Sequence, residues 1–389
     1  MVTRELPPFT NYTGGIGRRY AALAQEIRRR GHDVHVIVST AAEPSIRDAE
    51  GVIVHLVRLP TRGRAWTVED LPWALASDAA IRGMDRFDVV LAAEWGGNAW
   101  SYSRRRRRAP LVTNLATSLE QILAITPMLA APARDRLQAA IQMRLERSQT
   151  QRSDTLIACS HAILDWAKQL WDLERVPAEV IPNFIDLERT RSLAQGDPPS
   201  DMPEKGPLVV YSGRLEERKG VRDLVRAMRI VWLQIPEAQL VMIGRNDPFA
   251  GGSMGDTLRE IAGDHAGSLH LLGHQPPERL FPALARADLV VMPSMWEAFG
   301  IAALEAMALG RACILTSGSG FEEFFRDGVD GELVEPRDSA ALADAIVGLL
   351  GDDPRRRACG AAACERADGY GVAPSAARYL DVFARAAGG

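Results

Sequence analysis

Short runs of aliphatic and β-branched residues recur along the chain, separated by stretches in which apolar residues return every three or four positions. The first period suits strands buried on both faces and the second suits helices that cover them. Ile16, Tyr20, Leu23 and Ile27 share one face at i, i+4, i+7 and i+11, which predicts a helix over 16–30 closed by Gly31. Strands are predicted at 34–38, 52–59, 89–92, 111–114, 155–158 and 180–181. A break rich in Pro, Gly and Asp follows at 195–207, after which the alternation restarts. In this second half, strands are predicted at 208–211, 240–243, 269–272, 289–292 and 312–315. Helices are predicted at 221–235, 277–286, 299–309 and 340–350.

This strand–helix alternation, made twice, predicts an α/β protein of two doubly wound Rossmann-like domains facing across a cleft. The expected limits are 1–195 for the first domain and 203–372 for the second, with a C-terminal helix over 373–389 rejoining the first. Only Val2 stands ahead of Thr3 and Arg4 before the Pro7-Pro8 turn, so either strand one is unusually short or the natural chain begins upstream. Ligands of such sheets sit beyond the carboxyl ends of the strands, which makes those ends the place to look for chemistry.

Composition narrows the class. A chain of 389 residues exceeds one ordinary domain, and 47% hydrophobic with 25% charged residues describes a globular protein rather than a disordered or fibrous one. No apolar run approaches the roughly 18 residues of a membrane span, and the first ten residues lack the apolar core of a secretory signal. Four scattered cysteines, Cys159, Cys313, Cys359 and Cys364, form neither a disulfide framework nor a metal-ligand spacing. Reduced thiols and a cytoplasmic location are the expectation. The net charge is −4, with a slightly basic first half and an acidic second, too little asymmetry for a nucleic-acid partner. Arg104, Arg105, Arg106, Arg107 and Arg108 stand in a row. They read either as a solvated helix end or as a contact with an anionic membrane or acceptor. Only Lys168, Lys205 and Lys219 are lysines, which makes each of them conspicuous in an arginine-rich chain.

Three segments carry candidate chemistry. Thr13-Gly14-Gly15-Ile16-Gly17 precedes the first predicted helix, where small residues let backbone N–H groups approach an anion at a positive helix end. The same glycines also suit a turn that only packs helix on strand. Ser212 to Gly220, reading SGRLEERKG, follows the first strand of the second half; Arg214 offers a planar fork and Lys219 a compact ammonium, a pairing suited to a diphosphate. Pro293 to Met307, reading PSMWEAFGIAALEAM, puts Glu297 in a loop after a buried strand and Glu305 eight residues later inside a helix. Two carboxylates so near a helix start fit ligand hydroxyls, and Gly300 and Ile301 would aim N–H groups at a phosphate. Glu94, Trp95 and Trp100 follow a strand of the first half, where indole faces suit stacking on an acceptor, although core packing is the commoner role of a tryptophan.

In these motifs the sequence resembles the retaining glycosyltransferases of family 4. They are E-x(7)-E after a strand, S-G-R-L-x-x-x-K-G about eighty residues earlier, and G-G-I-G near the start. The resemblance implies the GT-B fold and transfer of a sugar from a nucleotide diphosphate sugar to an acceptor hydroxyl by front-face attack, with no metal and no cofactor. It implies that Arg214, Lys219 and Glu297 are catalytic. The donor would be bound by Gly14, Gly15, Gly213, Arg214, Lys219, Gly244, Glu297, Phe299, Gly300, Ile301 and Glu305, with Glu305 on the ribose. The acceptor, a small or lipid-linked molecule, would meet Glu94, Trp95, Asn114 and Thr117. One departure stands out: the family places a His after a Pro-initiated strand, and here Pro110-Leu111-Val112-Thr113-Asn114-Leu115 leads to Ala116. Either Asn114, Thr117 or Ser118 contacts the sugar instead, or the protein is a weak or altered catalyst. A sugar-nucleotide epimerase, a phosphorylase and a catalytically silent transferase-like partner protein are the alternatives.

Overall fold

The structure, a computed structural model, describes residues 1–10, 14–59, 69–84, 86–127, 132–246, 248–249 and 252–388. Thr13 of the glycine-rich turn and Trp66 lie outside them. The chain divides into two compact units, Met1–Phe184 with Val372–Gly389, and Ile185–Gly371.

The first unit is built on strands β1 (Val2–Thr3), β2 (His35–Thr40), β3 (Ser45–Ala49), β4 (Val52–Arg58), β5 (Val90–Ala93), β6 (Leu111–Leu115), β7 (Thr155–Ala158) and β8 (Ala178–Val180). They form one sheet in the order β3-β4-β2-β1-β5-β6-β7-β8, parallel except for β3, which runs antiparallel to β4. Helices α1 (Gly15–Arg29), α2 (Asp70–Arg82), α3 (Trp100–Ser103), α4 (Leu119–Ile125), α5 (Ala133–Gln151) and α6 (His161–Leu170) connect them. Tyr20, Leu23 and Ile27 of α1 are buried with Val36, Val54, Leu91, Val112 and Ile157 of the sheet, as the period of the first helix predicts. Tyr379, Val382 and Phe383, from the C-terminal helix, join the same core. β1 has only two residues, yet it lies between β2 and β5 and pairs with both.

The second unit begins with α7 (Leu187–Leu193) and continues with β9 (Leu208–Ser212), α8 (Val221–Gln234), β10 (Gln239–Ile243), the short β11 (Pro248–Phe249) and β12 (Gly252–Ser253), α9 (Met254–Ala262), β13 (Leu269–Leu271), α10 (Pro277–Arg286), β14 (Leu289–Met292), α11 (Ile301–Ala308), β15 (Ala312–Thr316), β16 (Gly331–Val334), α12 (Ser339–Gly351) and α13 (Asp353–Ala367). Its sheet is wholly parallel, β13-β10-β9-β14-β15-β16. Leu224, Val225, Met228, Val231 and Trp232 of α8 pack on Val209, Leu240, Val291 and Ile314. The C-terminal helix α14 (Val372–Gly388) then returns to the first unit.

Several expectations need correction. The boundary lies at 184–185 rather than 195–203, because α7 belongs to the second unit. There Arg191 of α7 donates to the Ala308 carbonyl at 3.1 Å and pairs with Asp368 at 2.6 Å. The helix expected to start at Phe299 starts at Ile301, since Gly300 takes a left-handed conformation (φ +100°) that ends the loop. β3, reading SIRDA, is an edge strand whose one large aliphatic side chain, Ile46, is exposed and whose Ala49 alone packs on the core, so hydrophobic pattern does not reveal it. No helix among the described residues is long and apolar enough to cross a membrane.

Gly220 joins the SGRLEERKG loop to α8 with φ +66°, and a Cβ there would lie 1.9 Å from the Pro293 carbonyl oxygen. Gly220→Ala meets both left-handed strain and a backbone clash, so it should lose at least about 1–2 kcal/mol of unfolding free energy. Urea denaturation checks this; a midpoint equal to that of the unsubstituted protein would show that the two loops do not constrain each other.

Candidate active site

In the second unit, β9 and β14 are neighbours, and the loops leaving their carboxyl ends meet. The Met295 N–H donates to the Arg218 carbonyl at 2.8 Å, tying the loops backbone to backbone. Between them the Lys219 ammonium contacts Glu297 Oε1, which also accepts from Ser294 Oγ at 2.9 Å. Both charged side chains are less than one-fifth exposed. Burial lowers the Lys219 pKa; Glu297 opposes that change and Arg218 adds to it. For Glu297 burial acts upward, but the cations Lys219 and Arg218 and the hydrogen bonds from Lys219 and Ser294 outweigh it, so its carboxyl sits below the usual range. The contact and the lowered Glu297 pKa favour a carboxylate facing an ammonium.

Arg218 is nearly buried and pairs with Glu216 at 2.8 Å; Arg214 reaches the same carboxylate at 3.3 Å with its side chain 43% exposed. Arg214 is thus the fork presented to solvent, and Arg218 is the internal cation, a role the motif alone does not announce. Gly300 sits at the start of α11, where a Cβ would be 2.2 Å from the Phe321 ring, so only glycine lets the loop bring Ile301 into the first helical turn. Phe299 does not line an open surface. It is buried and stacks on Phe324 with ring centroids 4.5 Å apart. Glu305 is buried in the second turn of the same helix. The N–H groups of Gly213 and Gly244 are engaged by the Ile243 and Gly273 carbonyls at 2.9 and 2.8 Å. Their role here is close approach: a Cβ on Gly244 would lie 1.8 Å from the Gly213 oxygen.

In the first unit the candidate residues again collect at the carboxyl ends of strands. The Gly14 N–H donates to Glu5 Oε2 at 2.7 Å, and Gly15 opens α1. Glu94, directly after β5, is 1% exposed and accepts the Ala116 N–H on both oxygens at 2.8 and 2.7 Å. Glu146 of α5 is fully buried and accepts from Gly96, Leu119 and the Gln142 side chain at 2.8–2.9 Å. Burial pushes Glu94 up to about 8, with the neighbouring Glu146 adding to the rise against its hydrogen bonds. Burial likewise pushes Glu146 up to about 7, opposed by its three donors.

Asn114 is no acceptor contact. It is 1% exposed, accepts from Tyr20 Oη at 3.2 Å and donates to Tyr379 Oη at 2.7 Å. Ser118 is the N-cap of α4 in a capping box with Gln121, which leaves Thr117, half-buried, as the polar side chain beside Ala116. Trp95 is half-buried in a 3₁₀ turn. The arginine run leads into the amino end of β6, the edge opposite Ala116, and is not a five-charge patch. Arg105 pairs with Asp78 and Arg108 with Asp154, leaving Arg104, Arg106 and Arg107 exposed.

Residues 13–189 match the model of Glycosyltransferase Family 4, and residues 197–366 match that of Glycosyl transferases group 1. A D-inositol 3-phosphate glycosyltransferase of Nocardia farcinica is 30% identical, the alignment covering 97% of this chain and 86% of that one. The chain belongs to the family 4 glycosyltransferases of GT-B fold. A phosphatidyl-myo-inositol mannosyltransferase of Mycolicibacterium smegmatis is 28% identical over 96% of this glycosyltransferase and 91% of its own length. Among solved structures, the sucrose-phosphate synthase from Thermosynechococcus elongatus superposes with a TM-score of 0.80 at 20% identity, covering 99% and 97% of the two chains. Anabaena HepE in complex with UDP and glucose superposes at 0.69 with 19% identity, covering 98% of each. At these identities the structures carry the fold.

The two raised carboxyls give the glycosyltransferase a pH signature. A carboxyl whose folded pKa exceeds its unfolded value binds its proton more tightly in the native state, so the contribution of these two groups to stability falls as pH rises from about 5 to about 8, against an opposite contribution from the buried Met1 amine. Glu94→Gln keeps an acceptor for the Ala116 N–H and removes one titrating group, so it should flatten that fall. Urea midpoints at pH 5, 6, 7 and 8 test it; an unchanged slope would place the titration elsewhere.

Proposed function

We propose that this enzyme is a retaining, metal-independent hexosyltransferase that moves a sugar from a nucleotide diphosphate sugar to a hydroxyl of a small-molecule or lipid-linked acceptor. The observation that carries the reading is the buried contact of Lys219 with Glu297 where the loops after β9 and β14 meet, with the exposed fork of Arg214 beside it. In this reading the donor diphosphate draws Lys219 and Arg214 to its oxygens, and Glu297, released from the ammonium, accepts from hydroxyls of the sugar. Glu305 accepts from the ribose. The N–H groups of Gly300 and Ile301 add positive potential without reorganising.

The acceptor oxygen forms its bond to the anomeric carbon on the face from which the diphosphate departs. The anomeric carbon–oxygen bond breaks, the electron pair leaves with the diphosphate, and a phosphate oxygen takes the acceptor's proton. Fixed cations and N–H groups stabilise the charge on the leaving group, which is the work a metal would do in other transferases. The relatives' names, an inositol 3-phosphate and a phosphatidyl-inositol transferase among them, favour a polyol acceptor. The free cysteines favour the cytoplasm as its location.

The test is transfer from a panel of UDP-, GDP-, ADP- and dTDP-sugars, with and without EDTA, followed by NMR of the product. An α-linked donor should give an α-linked product at a rate EDTA does not change. Inversion or loss of activity in EDTA would overturn the mechanism. Absence of transfer or donor hydrolysis across the panel, with Ala116→His active, would favour the silent-partner alternative.

The two carboxylates have separable roles in this reading. Glu305→Gln should weaken binding of the free nucleoside diphosphate, while Glu297→Gln should leave that binding nearly intact and slow transfer by roughly 10²–10³. Calorimetry beside steady-state kinetics distinguishes them, and the reverse pattern would exchange the assignments.

A further inference from the structure

Arg19, in the second turn of α1, is 4% exposed. One nitrogen of its guanidinium, Nη1, donates to Asn183 Oδ1, three residues beyond β8. Its Nε and Nη2 have no hydrogen-bond partner. Its field reaches Cys159, directly after β7, and Glu94, directly after β5. Ala116, directly after β6, is bound through its N–H to the same Glu94. In the order β5-β6-β7-β8, these are the carboxyl ends of four adjacent strands.

A guanidinium cannot shed its proton, and a buried cation without an anion is unfavourable by several kcal/mol. Among the described residues no carboxylate is bonded to it, although the surrounding groups together favour its charged form. Asn183 is neutral, the Tyr20 and Tyr379 hydroxyls are pushed up by burial and stay neutral, and Glu94 is raised to about 8 and so largely protonated at pH 7. Ala116 supplies only a methyl group where the family resemblance expects an imidazole, so the neighbouring position offers no competing donor.

We propose that Arg19 is the cationic anchor of an anion site at the carboxyl ends of β5 to β8, where Nε and Nη2 grip a phosphoryl group beside Ala116. A planar fork with two adjacent free N–H groups matches two oxygens of one phosphate. The cation is then kept buried without a bonded anion at some loss of stability, and the anion enters as the surrounding strand-end loops open. Assigning that phosphoryl group to a substrate rests on the glycosyltransferase reading; the site itself does not.

Thermal unfolding in inorganic phosphate, against chloride at matched ionic strength, reads the site without turnover. The Arg214→Ala/Lys219→Ala double variant removes the two candidate diphosphate cations of the second unit and should still be stabilised by phosphate. Adding Arg19→Met should weaken the apparent phosphate affinity about tenfold or more, while the midpoint in chloride stays level or rises. Arg19→Lys keeps the charge without the fork and should give a reduced response, which covers the case that the Met variant fails to fold. A phosphate response of the unsubstituted size in Arg19→Lys or Arg19→Met would overturn the proposal. Repeating the titration with saturating nucleoside diphosphate separates the sources. Loss of the phosphate response assigns the site to the donor diphosphate, and persistence assigns it to a phosphorylated acceptor. Absence of transfer with the response intact would count against the enzymatic reading and leave the site standing.

Discussion

The arrangement of the second unit depends on one buried contact, the Lys219 ammonium against the Glu297 carboxylate. Each charge alone would be strongly unfavourable at that depth; Ser294 and Arg218 support the Glu297 carboxylate, while Arg218 works against the Lys219 ammonium, which leaves Glu297 as its main stabiliser. The backbone has been shaped to allow it. Gly220 passes against the Pro293 carbonyl, Gly244 against the Gly213 carbonyl, and Gly300 against the Phe321 ring, each at a separation that excludes a Cβ. Three glycines at three strand ends thus serve a single purpose, which is to let charged loops approach each other more closely than side chains permit.

The first unit solves the same problem with the opposite chemistry. At its strand ends two buried acids accept backbone N–H groups, Glu94 from Ala116 and Glu146 from Gly96 and Leu119, while Glu26, Asp70 and Asp78 elsewhere in the unit pair with arginines. Burial raises the first two toward neutrality, so these carboxyls anchor turns rather than present charge. The charge at that edge belongs to Arg19 instead. One unit therefore holds a buried ion pair that a ligand would have to open, and the other holds a buried cation with no carboxylate bonded to it among the described residues.

The alternation of strand and helix was legible in the sequence because parallel strands buried on both faces leave continuous apolar runs, as in Leu289–Met292 and Thr155–Ala158. β3 was not, since an edge strand covered on one side needs no such run. The grouping of Lys219, Glu297 and Gly300 could be anticipated because each lies within a few residues of a strand end. Asn114 could not be read correctly, because an Asn at the end of a strand looks the same whether it faces ligand or core. Its partners Tyr20 and Tyr379 come from helices 94 positions before and 265 positions after it. Glu146 and Arg19 were invisible for the same reason: a polar residue inside an amphipathic helix declares its face but not the strand ends it will meet.

Ala116 bears on how such a site can lose a side chain and keep its chemistry. A neutral hydrogen bond contributes only about 0.5–1.5 kcal/mol net, whereas fixed charges acting on a developing diphosphate contribute several times that. Removing an imidazole therefore leaves most of the electrostatic stabilisation in place, provided that the loop it came from does not move. Here the loop is fixed independently, because Glu94 grips the Ala116 N–H and the Ser118–Gln121 capping box begins α4 two residues later. The position is simplified, and the loop around it keeps its geometry.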